Sequence, residues 1–376
     1  MKHVCVVHNN VDQATSIGKL ASWAVTTALD ADLHVTVVAR DLDPGLQAEV
    51  RWRRLFVPPR LHAVQWAVAR RTVLHALRGV DHDVLHVYQP QIAALADTWH
   101  VEFLSRVAVE TGSLPSGVGP RARLARAQQI AVAHMEDRYL RDLGARPTVL
   151  FCSQLMERHF TRLYGTPAHR EILLNPAFGR DQVSVPSRTS ARRGFGLPDS
   201  ASIVGYLGGL DERKGYPELI SAIAGLPDRT VLLMAGPGSE GFSAPGLGVR
   251  VKSVGKLTDM STFWAAVDVL AVPSRFEPFG MVVTEAASAG IPVVLTPEVG
   301  AAELVRQHRA GEVVESSDLA PGIARVQADA AGYAAGLRSL AATLSAELLS
   351  ARLLESWIAA AARNALGARP RRTRVC

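Results

Sequence analysis

The sequence predicts two doubly wound α/β domains in tandem. Three observations carry that expectation. Short apolar runs alternate with longer amphipathic ones, in the strand–helix–strand order that builds a parallel sheet. The alternation breaks once, in a Ser- and Arg-rich stretch between Asn175-Pro176 and about Ser200, and then restarts. The chain has 376 residues, 48% of them hydrophobic and 20% charged, which suffices for two cores and is unlike a disordered chain.

In the first half, strands are expected at 4–8, 33–38, 84–87 and 148–152, with helices at 17–29, 65–77 and 124–142. In the second half, strands are expected at 203–207, 231–235, 249–254, 269–272, 293–295 and 312–314, with helices between them. The Ala-, Leu- and Ser-rich stretch 328–366 has helical spacing and ends near Gly367 and Pro370, both stop signals, so two helices and a frayed basic tail are expected. The domain boundaries that follow are 1–176, 177–351, a helix at 352–366 that packs back on the first domain, and a tail at 367–376. Ligands of such sheets bind beyond the carboxyl ends of the strands, so the loops after the strands are where chemistry is sought.

No run of about eighteen apolar residues occurs, and the opening Met1-Lys2-His3-Val4-Cys5-Val6-Val7-His8 turns polar too soon for a secretory h-region. A cytoplasmic protein is expected. Cys5 and Cys152 sit in apolar runs and Cys376 is the last residue, a spacing that suits no metal. The net charge of +6 is uneven, with Arg gathered at 51–54, 70–71, 121–126 and 369–374. Such clusters serve an anionic membrane, a phosphorylated ligand or nucleic acid, but more often they are solvated helix faces. No nucleic-acid partner is expected. The stretch 51–78, with Trp52 and Trp66, is read as an interfacial helix docking on an anionic bilayer, which would make the chain peripheral to the inner membrane face.

Segment 271–290 reads A-V-P-S-R-F-E-P-F-G-M-V-V-T-E-A-A-S-A-G: a strand ending at Pro273, a loop carrying Glu277, and a helix from about Gly280 to Gly290. Free backbone N–H groups from Gly280 to Val283, together with the helix dipole, suit a diphosphate. Gly280 lets a phosphate come close. Glu285, one turn in, suits a diol such as ribose, and Glu277 suits hydroxyls of a sugar beyond the phosphates, each charged hydrogen bond contributing roughly 1.5–3 kcal/mol in a dry site. On these residues alone, a solvated loop Glu and a helix-start Glu that complements the dipole explain the pattern equally well.

This segment resembles the E-x7-E motif of retaining GT-B glycosyltransferases of family four, the glycosyl transferases group 1, in which the first Glu holds the donor sugar and the second the ribose. Three further segments extend the resemblance over about 200–315. Leu207-Gly208-Gly209-Leu210-Asp211-Glu212-Arg213-Lys214-Gly215 is similar to G-R-L-x-x-x-K-G, whose Arg and Lys neutralise the diphosphate. Val254-Gly255-Lys256-Leu257 resembles the strand edge that reads the base through its backbone. Val299-Gly300-Ala301-Ala302-Glu303-Leu304-Val305 resembles G-G-x-x-E-L-V. The resemblance implies a GT-B fold whose two domains face a cleft, and a nucleotide-diphosphate sugar, UDP-linked in the first instance, as donor. It places Lys214 on the phosphates and adds Gly208, Phe279, Met281 and Val282 to the donor contacts. Gly209 stands where the family has its Arg, so a second cation is sought in Arg213 or in Arg180.

The first half resembles bacterial lipopolysaccharide-core glucosyltransferases more faintly. There Ala96-Asp97-Thr98-Trp99-His100-Val101-Glu102 matches the loop that carries an Asp or His near the acceptor, giving Asp97 and His100 as candidates for the catalytic centre beside Glu277, and 164–176 resembles the crossover into the second domain. The glycine-rich loop after the family's first strand has only Gly18 here, with Lys19 next to it; both are kept as site candidates.

Two other motifs are set aside. Gly236-Pro237-Gly238-Ser239-Glu240-Gly241 fits G-x-G-x-x-G, but Phe242-Ser243-Ala244-Pro245-Gly246 after it is loop-like where a dinucleotide site needs a helix. Asp81-His82-Asp83 precedes a strand and so lies at the wrong sheet edge for a D-x-D metal site. No metal or other cofactor is expected, because helix dipole and cations serve the diphosphate. The expected activity is sugar transfer to an acceptor hydroxyl with retention. A synthase or phosphorylase with another acceptor, or a non-catalytic nucleotide-sugar-binding module, stays open beside it.

Overall fold

The computed structural model describes residues 1–58, 62–115, 119–178 and 186–366. Its described residues form two units: Met1–Val109, Leu124–Asn175 and the chain from Glu347 make the first, while Glu110–Arg123 and Pro176–Ala346 make the second. The last helix therefore belongs to the first unit from Glu347 onward.

The first unit runs β1 (His3–Val7), β2 (Asn10–Val11), α1 (Ser16–Asp30), β3 (His34–Ala39), β4 (Asp41–Leu42), β5 (Arg51–Arg54), α2 (His62–Ala76), β6 (Val84–Val87), β7 (Thr98–Val101), α3 (Ser105–Glu110), α4 (Pro120–Leu140), β8 (Thr148–Phe151), α5 (Gln154–Tyr164) and β9 (His169–Ile172). Seven strands lie parallel in the order β5-β3-β1-β6-β7-β8-β9, and β2 and β4 form a separate pair. The chain leaves β1 in one direction to β3 and β5 and in the other to β6 through β9. The switch point is thus between β1 and β6, the place where such sheets hold ligands.

The second unit runs α6 (Arg188–Gly194), β10 (Ser202–Leu207), α7 (Tyr216–Ala224), β11 (Thr230–Ala235), β12 (Val251–Ser253), α8 (Ser261–Ala266), β13 (Val269–Val272), α9 (Met281–Ser288), β14 (Val293–Leu295), α10 (Ala302–His308), β15 (Gly311–Val313), α11 (Leu319–Ala328) and α12 (Ala334–Thr343), before α13 (Ala346–Leu366). Its six parallel strands are ordered β12-β11-β10-β13-β14-β15. Val204, Leu232, Met234, Val269 and Val294 of the sheet pack against Leu219 and Ile223 of α7 and Ile323 and Val326 of α11. The switch point here is between β10 and β13.

Four elements depart from the sequence reading. Segment 51–78 is not one interfacial helix: Arg51–Arg54 is the edge strand β5, with Trp52 Nε1 donating to Ala39 O at 3.0 Å, and α2 begins only at His62, with Trp66 against Tyr139 of α4. An alternating R-W-R-R run suits an edge, where charged side chains stay in water. The segment T-W-H-V, read as a loop, is the interior strand β7; its Thr98 Oγ1 meets His86 Nδ1 at 2.8 Å, so that hydroxyl is satisfied inside. The edge strand β9 falls within the expected crossover. Helix α6 falls within the expected loop, capped by Ser187 and anchored by buried Arg192, which donates to Ala266 O, Ala201 O and Asp268. Helix α13 is fastened to the first unit by Trp23 Nε1 donating to Ser350 Oγ at 2.9 Å, by Asn364 Nδ2 donating to Asp97 at 2.9 Å, and by Trp357 against His86. The basic tail lies outside the described residues. Cys5 is buried, which pushes its thiol up to about 12, and Cys152 is buried as well.

Candidate functional site

In the second unit, β10 ends at Leu207 and hands the chain to Gly208 and Gly209, while β13 ends at Val272 and hands it to Pro273, Ser274 and the Glu277 loop. Both exits lie at the switch point. Tight backbone packing sets the path. Gly215, at φ +70°, would place a Cβ 1.8 Å from Pro273 O, and Gly236 would place one 2.2 Å from Gly208 O. Only glycine permits these approaches. The Glu277 loop is stitched to the loop after β14: Glu277 N donates to Glu298 O, Gly300 N to Glu277 O and Ala301 N to Phe279 O, at 2.8–3.0 Å.

That framework brings two cations onto one carboxylate. Lys214 Nζ is paired with Glu277 Oε2. Arg213 Nη1 donates to Phe276 O at 2.9 Å and lies 3.5 Å from Glu277 Oε2, with Asp211 3.6 Å from its Nε. All three charged groups are half-buried, where an ion pair is stronger than on an open surface. Helix α9 starts at Gly280, φ +97°, an N-cap residue with no side chain to cap the helix. Its first-turn residues Met281 and Val282 are half-buried, as is Glu285 one turn on. An uncapped helix start beside a Lys and an Arg is a site for an anion.

The other donor candidates fall around this point. Gly208 N donates to Ala235 O, and Gly209 O accepts from Tyr206 Oη at 2.8 Å. Phe279 is buried beneath the helix start. Lys256 and Leu257 follow the edge strand β12, and the Lys256 N–H is occupied by Glu240 Oε1 at 3.2 Å. The G-x-G-x-x-G segment opens no helix; Gly236 N donates to Gly255 O instead. Arg180 lies outside the described residues.

In the first unit the sequence candidates are dispersed. Asp97 precedes β7 and so sits at the amino edge of the sheet, opposite the switch-point mouth. It is buried, accepting from Leu85 N at 2.8 Å, Arg146 at 3.2 Å and Asn364. The catalytic reading of Asp97 is corrected: it ties strand starts and α13 together. Asp83, of the D-x-D segment, does likewise for Lys2 N and His3 N. His100 lies inside β7, fully buried, near the carboxyl edge. Gly18 is buried in α1, where a Cβ would come within 2.5 Å of Asp12 Oδ1; it lets the loop after β1 close on the helix that Thr15 caps. Lys19 follows it, half-buried.

The residues that line the carboxyl edge of this sheet were missed, apart from His100. They are His8 and Asn9 after β1, Tyr88 and Gln89 after β6, Glu102 after β7, and Asn175. Gln89 Nε2 donates to Asn9 Oδ1 at 2.9 Å, and Asn175 Nδ2 to Glu102 Oε2 at 2.9 Å. The available signal was their position, directly after apolar runs.

Residues 201–329 match the family described as glycosyl transferases group 1. That span contains both switch-point exits and every charged group of the second unit's site. A D-inositol 3-phosphate glycosyltransferase of Mycolicibacterium smegmatis is 27% identical over 283 residues, 70% of this chain and 62% of that protein. The counterpart from Mycobacterium tuberculosis (strain F11) is 26% identical over 70% of this chain and 56% of its own. The chain thus spans less than two thirds of the length of these relatives. Among solved structures, WaaG, a glycosyltransferase involved in lipopolysaccharide biosynthesis, superposes with a TM-score of 0.75 at 20% identity, covering 94% of this chain and 99% of that one. Anabaena HepE, in complex with UDP and glucose, superposes at 0.69 and 19%, covering 96% and 100%. The fold is GT-B, built from two Rossmann-like halves.

Proposed function

We propose that the chain transfers a glycosyl group from a nucleotide-diphosphate sugar to an acceptor hydroxyl, with the donor on the second unit and the acceptor on the first. The observation that carries this is the meeting of Lys214, Arg213 and Glu277 beside the uncapped start of α9. The cations and the helix start take the diphosphate, Glu277 takes sugar hydroxyls, and Glu285 takes the ribose. Support for uracil as the base comes from HepE, whose structures hold UDP and UDP-glucose. In the reaction the acceptor oxygen bonds to C1 as the C1–O bond to the diphosphate breaks. The bonding pair leaves with the diphosphate, which also takes the acceptor proton, and the anomeric configuration is retained. Lys214, Arg213 and the α9 dipole meet the charge that develops, so the reading calls for no metal.

The test is thermal unfolding with UDP and UDP-glucose. Ligand at about 100 times its dissociation constant stabilises by about 2.7 kcal/mol, and Glu285→Ala should abolish that shift. A wild-type protein that shows no shift with any nucleoside diphosphate refutes the reading.

Peripheral membrane contact is part of the proposal. Its support is the basic first-unit surface, where Phe56 is 70% exposed beside β5 and its Arg51 to Arg54 run, and Leu124 is 47% exposed two residues before Arg126 of α4. Among the described residues no helix is long and apolar enough to cross a membrane. Sedimentation with phosphatidylglycerol vesicles should show binding that weakens with salt; binding equal on neutral vesicles rules the contact out.

A further inference from the structure

His100, in the carboxyl half of β7, and Glu102, directly after the strand, stand two residues apart, and both side chains turn to the same interior. Nε2 of His100 lies 3.0 Å from Oε1 of Glu102, and the two side chains are 0% and 9% exposed. Neither atom has an aligned hydrogen-bond partner, and the Leu173 backbone is the other polar group at the imidazole. Two bare acceptors do not stay 3.0 Å apart in a dry interior, because each would leave a lone pair unsatisfied. A single proton shared between them relieves that contact.

The surroundings are neutral. From β6 come Tyr88, whose ring centroid is 5.5 Å from that of His100, and His86 at 6.2 Å; from the segment after β9 comes Asn175 Nδ2 on Glu102 Oε2; from α13 comes Trp357, packed on His86. No Lys or Arg is among these partners. Three amide oxygens of the same region, Asn175 Oδ1, Gln89 Oε1 and Gln91 Oε1, are buried without partners. Bare amide oxygens around a mouth want hydroxyl donors, as a polyol supplies.

We infer that His100 and Glu102 form a one-proton dyad that positions the acceptor, and that transfer needs this dyad neutral. The inference rests on the glycosyltransferase reading for the word acceptor, but not for the dyad itself. Burial pushes the Glu102 carboxyl up to about 7, the Asn175 hydrogen bond opposing it, and burial pushes the His100 imidazole down to about 4, the Leu173 backbone hydrogen bond opposing it. The proton therefore resides on the carboxyl, which donates to Nε2. Losing it leaves a negative charge facing the bare Nε2, with unpartnered amide oxygens nearby, and the acceptor-binding arrangement is no longer the favoured one. Glu102 and His100 are positioning residues in this account.

The decisive variant is Glu102→Gln, whose amide N–H supplies the donor permanently. In the full chain, with UDP-glucose and methyl α-glucoside as probe acceptor, wild-type transfer should fall about tenfold per pH unit above about 7, while Glu102→Gln keeps transfer and loses that fall. Glu102→Ala should lose transfer at every pH. A Gln variant that shows the wild-type alkaline fall, or that loses transfer as Ala does, overturns the dyad. A readout free of activity separates this from failure of the glycosyltransferase reading: the imidazole 15N resonances of His100 should titrate with a midpoint near 7 in the wild type and stay flat in Glu102→Gln. Resonances that titrate alike in both proteins refute the shared proton.

Discussion

The two sheets place their switch points at equivalent turns of the chain and fill them with opposite chemistry. In the second unit the mouth is ionic: Lys214 and Arg213 converge on Glu277, beside a helix start with no side-chain cap. In the first it is neutral: imidazoles, amides and a carboxyl whose proton burial retains. A parallel sheet supplies the location, since strand ends and loops converge there, but the location carries no specificity. A diphosphate calls for cations and free N–H groups. A hydroxylated acceptor calls for neutral hydrogen-bonding groups and a drier pocket. The GT-B fold can host both kinds of chemistry, because each mouth is built from its own loops.

Breaking the ionic mouth through its backbone should have the largest effect. At Gly215→Ala the new Cβ would sit 1.8 Å from the backbone oxygen of Pro273, at φ +70°. The β13 exit must move, and with it the Glu277 loop. The expected loss is about 4 kcal/mol or more of stability in the second unit, together with the UDP-induced thermal shift. Gly290→Ala is the control, because its φ is +72° but its Cβ would meet nothing within 4 Å. That change should cost only about 1–2 kcal/mol and keep the shift. Equal outcomes in chemical denaturation and UDP binding would show that the close approach at Pro273 is not what shapes the mouth.

The same contrast explains what could be read from sequence. The ionic mouth depends on glycines at close approaches and on charged side chains at fixed spacing, so Lys214, Gly215, Glu277, Gly280 and Glu285 stand out against the apolar strands around them. Strands buried on both faces, such as β1, β6, β13 and β14, are plain apolar runs, and their expected positions agree with the structure to within a residue or so. The first unit's mouth announces itself less. Strand β7 hides two polar residues inside the sheet, so T-W-H-V looked like a loop and Asp97 like a residue facing the acceptor. A buried carboxylate that ties three segments together and one that faces a ligand have the same local sequence; only the strand direction tells amino edge from carboxyl edge. Strand β5 was lost for a related reason, since an Arg-rich edge strand has no apolar period to read.

Glu136 resembles Glu102 in one respect: burial pushes its carboxyl up to about 7, against the opposing N–H donors of Arg106 and Ser105. It differs in place. Its oxygens accept from Ser105 N at 2.9 Å and Arg106 N at 3.0 Å, closing the start of α3. With the folded value raised above the ordinary 4.5, the native state binds the proton more tightly than the unfolded chain. That contribution is complete below pH 4.5 and is lost as pH rises through 7, at no more than about 1.4 kcal/mol per pH unit. His86 and His100, both lowered by burial, tilt the whole protein the other way, so the informative quantity is wild type minus variant. For Glu136→Gln, denaturant unfolding at pH 5 and pH 8 should show that difference shrinking by about 1–2 kcal/mol toward the alkaline end. The alkaline fall of transfer should be untouched. If Glu136→Gln also abolishes that fall, a buried carboxyl anywhere in the first unit sets the pH profile, and the neutral mouth has no special claim to it.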